Sequence, residues 1–189
     1  IVLVVGVEKM TDTPGPDIGG ILMKASYLKE DSEIEGGFAG VFGQIAQQYY
    51  QKYGDQSDAL AKIAAKNHKN GVCNPWAQLR KDLGYEFCRE ISDKNPIVAG
   101  PLKRTDCSLV SDGAAAVVLT DMETALTMKK AVIFRSRSHV NDYLPMGRRD
   151  MSQLEGCAKA WANALSDGKL TLDDISMVET HDCFTMAEL

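Results

Sequence analysis

His181 and Cys183 are the two side chains of this 189-residue sequence whose types and spacing best suit joint chemistry. By type, an imidazole N–H can donate to a developing oxyanion, and a thiol can carry a proton or act as a nucleophile. The apolar approach from Ile175 to Thr180 reads as a strand, and residues two apart on a strand project from one face. Imidazole and thiol would then point the same way. Each also has a plainer reading. A strand-end histidine beside Asp182 is a surface or packing residue, and a free cysteine is a small buried hydrophobe.

Other candidates are weaker by themselves. Ser108 lies in a loop ahead of the Asp112-Gly113 turn, where a hydroxyl ordinarily serves as a turn or cap device. Its neighbour Cys107 precedes a strand, with no helix N-terminus to lower its pKa, so it is not proposed as a nucleophile. Gly37-x-x-Gly40-x-x-Gly43 has neither the spacing of a dinucleotide fingerprint nor a P-loop Lys-Ser/Thr, and a nucleotide site is not expected there. No Ser-His-Asp order and no metal-ligand pair at helical spacing occurs. The five cysteines, at 73, 88, 107, 157 and 183, form no CxxC pair. Neither a zinc site nor a disulfide framework is favoured, and reduced thiols in a cytosol or peroxisome fit.

Composition narrows the classes further. With 44% hydrophobic and 25% charged residues the chain is of ordinary globular type. A net charge of -5 argues against a phosphate-backbone binder. The one basic cluster, Arg135, Arg137, Arg148 and Arg149, reads as a solvated or coenzyme-facing patch. No apolar run is long enough for a membrane span.

The elements that would position these residues follow from periodicity. Ile1 to Val7 is a continuous apolar run, as in a parallel strand buried on both faces. Met10 to Gly20, rich in proline and glycine, reads as loop. Ala46, Tyr49, Tyr50 and Tyr53 mark one face of a helix ending at Gly54, and a second helix is expected from Ser57 to about Lys69, closed by Gly71. Val72 to Leu102 has no clear pattern. Ala114 to Leu119 reads as a core strand, Met122 to Lys130 as a short helix and Ala131 to Ser138 as a strand. Met151 to Leu165 is the clearest helix, with Gly168 beyond it, and Thr171 to Asp174 has the outline of a capping box. Alternation of strands and helices points to α/β with at least partly parallel sheets.

Four segments together resemble the thiolase family, in the branch that includes sterol-carrier-protein thiolases. They are Val2-Leu-Val-Val-Gly-Val-Glu-Lys-Met10, Lys66-Asn-His-Lys-Asn-Gly-Val-Cys-Asn-Pro-Trp-Ala-Gln78, Asp106-Cys-Ser-Leu-Val-Ser-Asp-Gly-Ala-Ala-Ala-Val-Val-Leu119 and the run through His181-Asp-Cys-Phe184. The second is similar to the branch's NH…NPxAQ segment, which makes His68 and Asn74 family markers, Asn74 with a capping or loop-anchoring role. The last is similar to its HDCF loop. The resemblance implies part of a layered αβαβα fold, with mixed sheets, helices on both faces and a loop domain. Residues 1–10 would end the N-terminal half, 11–103 form the loop domain over the active site, 104–120 supply the last strand of that half and 121–189 open the C-terminal half.

It also implies roles. His181 would form or orient an oxyanion hole, and Cys183 would lie at the active site as an acid/base. Ser108 would contact the pantetheine of CoA, and Val41 and Phe42 would line the acyl pocket, with core packing as their alternative. The activity implied is thiolysis of a 3-ketoacyl-CoA or the reverse condensation, with CoA and acyl-CoA as substrates, no metal and no other cofactor. A homodimer or homotetramer, in the cytoplasm or in a eukaryotic peroxisome, is expected. The family's nucleophilic cysteine precedes the segment matched at Ile1 and its last catalytic motifs follow Leu189. The chain thus reads as the middle of a longer enzyme, inactive alone, with sheet edges left bare. A non-catalytic CoA or lipid binder of the same fold is the rival.

Overall fold

The computed structural model describes residues 1–189, and its backbone contacts divide into two compact units. One comprises residues 1–14, 110–142 and 155–177; the other comprises residues 15–109, 143–154 and 178–189.

In the first unit, β1 (Val2–Glu8) pairs antiparallel with β4 (Gly113–Leu119), with Val5 opposite Ala116. Asp112 fastens one end of this ladder. Its carboxylate accepts from the backbone N–H of Met10 at 2.7 Å and of Thr11 at 3.0 Å, and from the Thr11 hydroxyl at 2.6 Å. The strands are where periodicity puts them, but every residue of both is exposed, so β1 is not the parallel strand buried on both faces, nor β4 the core strand, that was expected. A continuous apolar run specifies an extended segment that could be covered on both faces; it supplies no cover.

α6 (Met122–Leu126) follows, capped by the Asp121 carboxylate, which accepts from Thr124 N–H at 2.8 Å. Residues 131–138 form no strand, contrary to expectation, and Val132 is 96% exposed. An alternating pattern needs a neighbouring backbone to become a ladder, and no segment of this chain pairs with it. α7 runs Glu155–Gly168, starting four residues later than the periodicity from Met151 suggests, because Leu154 sits at φ 43°. The capping box at Thr171 is present: Asp174 accepts from the Thr171 N–H and hydroxyl, each at 2.8 Å.

The second unit is mainly helical. Residues 10–14 are loop as expected, but from Gly15 the expected loop is helix α1 (Gly15–Met23), which can form because proline is tolerated in a first helical turn, where its missing N–H would have no partner. After α2 (Leu28–Asp31) come the two long helices, α3 (Gly37–Tyr53) and α4 (Ser57–Cys73). Gly54 closes α3 at φ 80°, as its position suggested. α4 runs through Gly71 to Cys73, past the expected stop. There Asn74 Oδ1 accepts from Trp76 N–H at 3.0 Å, a turn that anchors the loop after the helix.

α5 (Gly84–Arg89) packs on α4 through Ala61, Ala64 and Cys88, and the short hairpin β2 (Ile97–Ala99) with β3 (Leu102–Lys103) packs on α3. That last approach explains the glycine pattern of α3. A Cβ on Gly43 would stand 2.9 Å from the carbonyl carbon of Ala99, so the helix lies backbone to backbone against the hairpin. The two ladders, β1–β4 and β2–β3, are both antiparallel where partly parallel pairing was expected. The core of this unit gathers Met23, Val41, Ile45, Ala46, Leu60, Leu102, Met151, Phe184 and Met186. α8 (Thr185–Glu188) ends the chain's ordered elements.

Candidate functional site

The segment 106–108 meets the segment 183–185 in a short antiparallel contact inside the second unit. Cys107 bridges Phe184, and Ser108 N–H donates to the Cys183 carbonyl at 3.0 Å. This register sets Ser108 opposite Cys183 and Asp106 opposite Thr185, with opposed residues sharing a face. The side chains agree, since the Thr185 hydroxyl donates to Asp106 Oδ1 at 2.8 Å.

Asp106 can serve as that anchor because it is itself locked. It is 1% exposed, accepts from Lys103 N–H at 2.8 Å and pairs with the equally buried Lys103 ammonium at 3.0 Å. A buried carboxylate persists only when paired and hydrogen-bonded, and here both conditions hold. Asn95, fully buried, secures the turn from the other side. Its amide donates to the carbonyls of Phe87 and Glu90, each at 3.0 Å, and its carbonyl accepts from Thr105 N–H at 3.0 Å.

Phe184 ties the same contact to α3. Its ring stacks on Phe42 with centroids 4.3 Å apart, and Phe38 meets Phe42 edge-on at 5.6 Å. α4 holds the outer side. Asn67 Nδ2 donates to the Asp182 carboxylate and, at 3.0 Å, to Glu188 Oε2, while Lys66 pairs with Glu188 Oε1 at 2.6 Å.

The five residues singled out in the sequence thus fall in one unit, in different settings. Ser108 and Cys183 are directly paired through the backbone. Phe42 is half-buried and reaches them through Phe184, whereas Val41, 2% exposed, belongs to the core. His181 is exposed, and residues 175–180 form no strand to deliver it, so the shared-face argument for His181 and Cys183 does not apply. The pairing that exists is Ser108 with Cys183. His68, in the marker segment, is half-buried on α4, and burial pulls its imidazole pKa down against the opposing pull of Asp82.

The thiols are set by their surroundings. Burial pushes Cys107 up to about 11, and Asp106 adds to the effect, so it stays a thiol at neutral pH. Burial also raises Cys183, partly offset by a backbone N–H at Phe184. A protonated, half-buried thiol is suited to giving a proton rather than to attacking carbon. Among the acidic groups, no cluster of His, Cys, Asp and Glu is arranged to hold a metal ion.

Asn67, Asp106, Phe184 and Thr185 were missed as positioning groups. Asn67, Asp106 and Phe184 lie inside segments that carried the resemblance, which was the available signal; the bond from Thr185 to Asp106 spans 79 residues and could not be read from either end. A groove of about 460 Å³ between α3 and β2 is lined by Ile34, Gln44, Gln47, Ile97 and Val98 among others, and by none of the five candidates.

Comparison with known proteins bears on what this arrangement is for. No protein-family model matches the chain. An acetyl-CoA acetyltransferase of Methanothermobacter thermautotrophicus is 33% identical over 98% of the chain and 48% of its own length, and sterol carrier protein 2 of Oryctolagus cuniculus is 31% identical over 79% of the chain and 28% of its own. The chain belongs to the thiolase superfamily, in its sterol-carrier-protein-type branch. The α/β fold agrees: the crystal structure of a monomeric SCP2-thiolase like protein type 1 from Mycobacterium smegmatis superposes with a TM-score of 0.77 at 18% identity, covering 98% of this chain and 40% of that one. This thiolase-superfamily chain spans about half the length, or less, of the relatives it matches. No helix in it is long and apolar enough to cross a membrane.

Proposed function

We propose that the chain supplies the acyl-CoA-handling centre of a thiolase-type acyltransferase, which cleaves a 3-ketoacyl-CoA with free CoA or condenses two acyl-CoA units in reverse. The observation that carries this reading is the pairing of Ser108 with Cys183, which puts a hydroxyl and a protonated thiol on one face of a contact anchored by buried Asp106. In this reading the Cys183 thiol gives its proton to the α-carbon as the carbon–carbon bond breaks, and takes one from it in condensation. His181 donates its N–H to the thioester oxygen, and Ser108 holds the pantetheine arm. Phe42 and Phe184 form the apolar wall for the acyl group. Burial holds Cys107 and Cys183 as thiols, so in this reading neither is the nucleophile that accepts the acyl group, and that role is assigned to another part of the enzyme.

The test uses a thiolase that contains these 189 residues within the full-length chain, assayed for thiolysis of acetoacetyl-CoA. The C183A variant is expected to lose activity by about 100-fold or more, the scale of a positioned acid/base, and H181A by a similar factor. Full activity in both variants would end this reading. A carrier that binds CoA esters without turning them over is the second reading, favoured by the 31% identity to sterol carrier protein 2. It predicts acyl-CoA binding by calorimetry with no thiolysis in the parent protein.

A further inference from the structure

We infer that Asn67 is the positioning residue of the loop that carries His181 and Cys183, acting as a two-donor clamp on a pair of carboxylates. A side-chain amide has two N–H groups on one nitrogen. At Asn67 both are used: one goes to Asp182 and the other to Glu188, residues that flank Cys183 on either side. Two carboxylates converging on one point repel each other; Lys66 pairs with one of them, Glu188, and also donates to Asn67 Oδ1 at 2.7 Å. The amide therefore does what no isosteric group can. It satisfies both anions without adding charge, and it fixes the outer side of the 182–188 segment to α4 while Phe184 fixes the inner side to α3. Cys183 sits between the two anchors, half-buried, which keeps its pKa raised. The assignment of Asn67 as a positioning residue for catalysis rests on the reading of this loop as part of the active site; the clamp itself does not.

The design of the clamp separates it from packing. Asn67→Ala removes the donors together with the Oδ1 that accepts from Lys66 Nζ at 2.7 Å, whereas Asn67→Asp preserves shape and that acceptor but turns the donors into a third carboxylate. The experiment measures the alkylation rate of each cysteine by iodoacetamide at pH 8, read by peptide mass spectrometry, in the parent chain, N67A, N67D and the swap N67D/D182N. Cys88, fully buried, reports global unfolding. Expected is a rise in the Cys183 rate of several-fold in N67A and more in N67D, with Cys88 unchanged and the swap returning the rate below that of N67D. A Cys183 rate in N67D equal to the parent's overturns the clamp. Should N67D unfold and expose Cys88, the swap decides: restored protection of both thiols supports the clamp, and continued exposure overturns it. The readout is independent of acyl transfer. Altered Cys183 reactivity in a protein without thiolysis would leave the clamp and remove the catalytic reading, whereas unaltered reactivity in an active enzyme would remove the clamp alone.

Discussion

Phe184 stacks on Phe42 with ring planes 20° from parallel, and through that contact the residue after Cys183 is held by α3, one of the two 17-residue helices of its unit. Stacked aromatic pairs add to the area they bury, so this contact combines a packing role with a geometric one. It is the point where the core of the helical unit becomes the wall of the candidate site.

Truncating Phe42 should therefore act on both. Phe42→Ala is expected to destabilise the chain by about 2 kcal/mol, below the range for a fully buried phenylalanine because Phe42 is half-exposed, while Phe42→Leu costs less than half of that. Urea unfolding followed by circular dichroism measures the difference. Equal stability for F42A and the parent would mean that the stack does not hold the segment.

Thr185 offers a sharper measurement, because its hydroxyl serves a buried charge. Thr185→Val keeps the shape and removes the donor to Asp106, leaving one carboxylate oxygen unsatisfied at an expected cost of about 1–3 kcal/mol. Thr185→Ser keeps the donor and should recover most of that loss. If valine and serine variants unfold at the same denaturant concentration, the bond contributes nothing.

Acid should loosen the first unit at a defined end. The Thr11 hydroxyl, then the Thr11 and Met10 N–H groups, hold the Asp112 carboxyl well below the usual carboxylate range. A carboxyl depressed in the folded state stabilises it fully above the unfolded value near 3.9 and loses that contribution as pH falls through the folded value. Backbone NMR signals of Met10 and Thr11 should accordingly be constant from pH 8 to about 5 and shift only in stronger acid. Asp112→Ala should bring the acid spectrum of this turn to neutral pH. A midpoint near that of an ordinary aspartate would show that these bonds do not act on the carboxyl.

Local signals in the sequence proved legible wherever the partner was also local. Gly54 ends α3, Asp174 closes the box on Thr171 and the helix spacing from Leu154 to Leu165 locates most of α7, because each depends on residues within a turn or two. Residues 131–138 and 175–180 have the same quality of pattern and form no strand, since a ladder is decided by a second backbone. The misreading of α1 has a different cause. Proline and glycine are breakers in a helix interior, but Pro16 falls in the first turn, where the same ring is permitted.

The site divides along the same line. Residue types drew attention to Ser108 and Cys183, and the order of motifs to the family, but the pairing of the two could not be read from either. Asn67 lies within a segment that carries the family resemblance, and what makes it matter is the arrival of Asp182 and Glu188 from more than a hundred residues away. The roles of the acidic pair and of Asp106 are properties of packing.

The bond between Asp106 and Thr185 joins points 79 residues apart in the chain. Closing so long a loop is entropically costly before contacts reward it, while the turns of α3 and α4 form from near neighbours. The face shared by Ser108 and Cys183 therefore bears a loop-closure cost that the turns of the two helices do not.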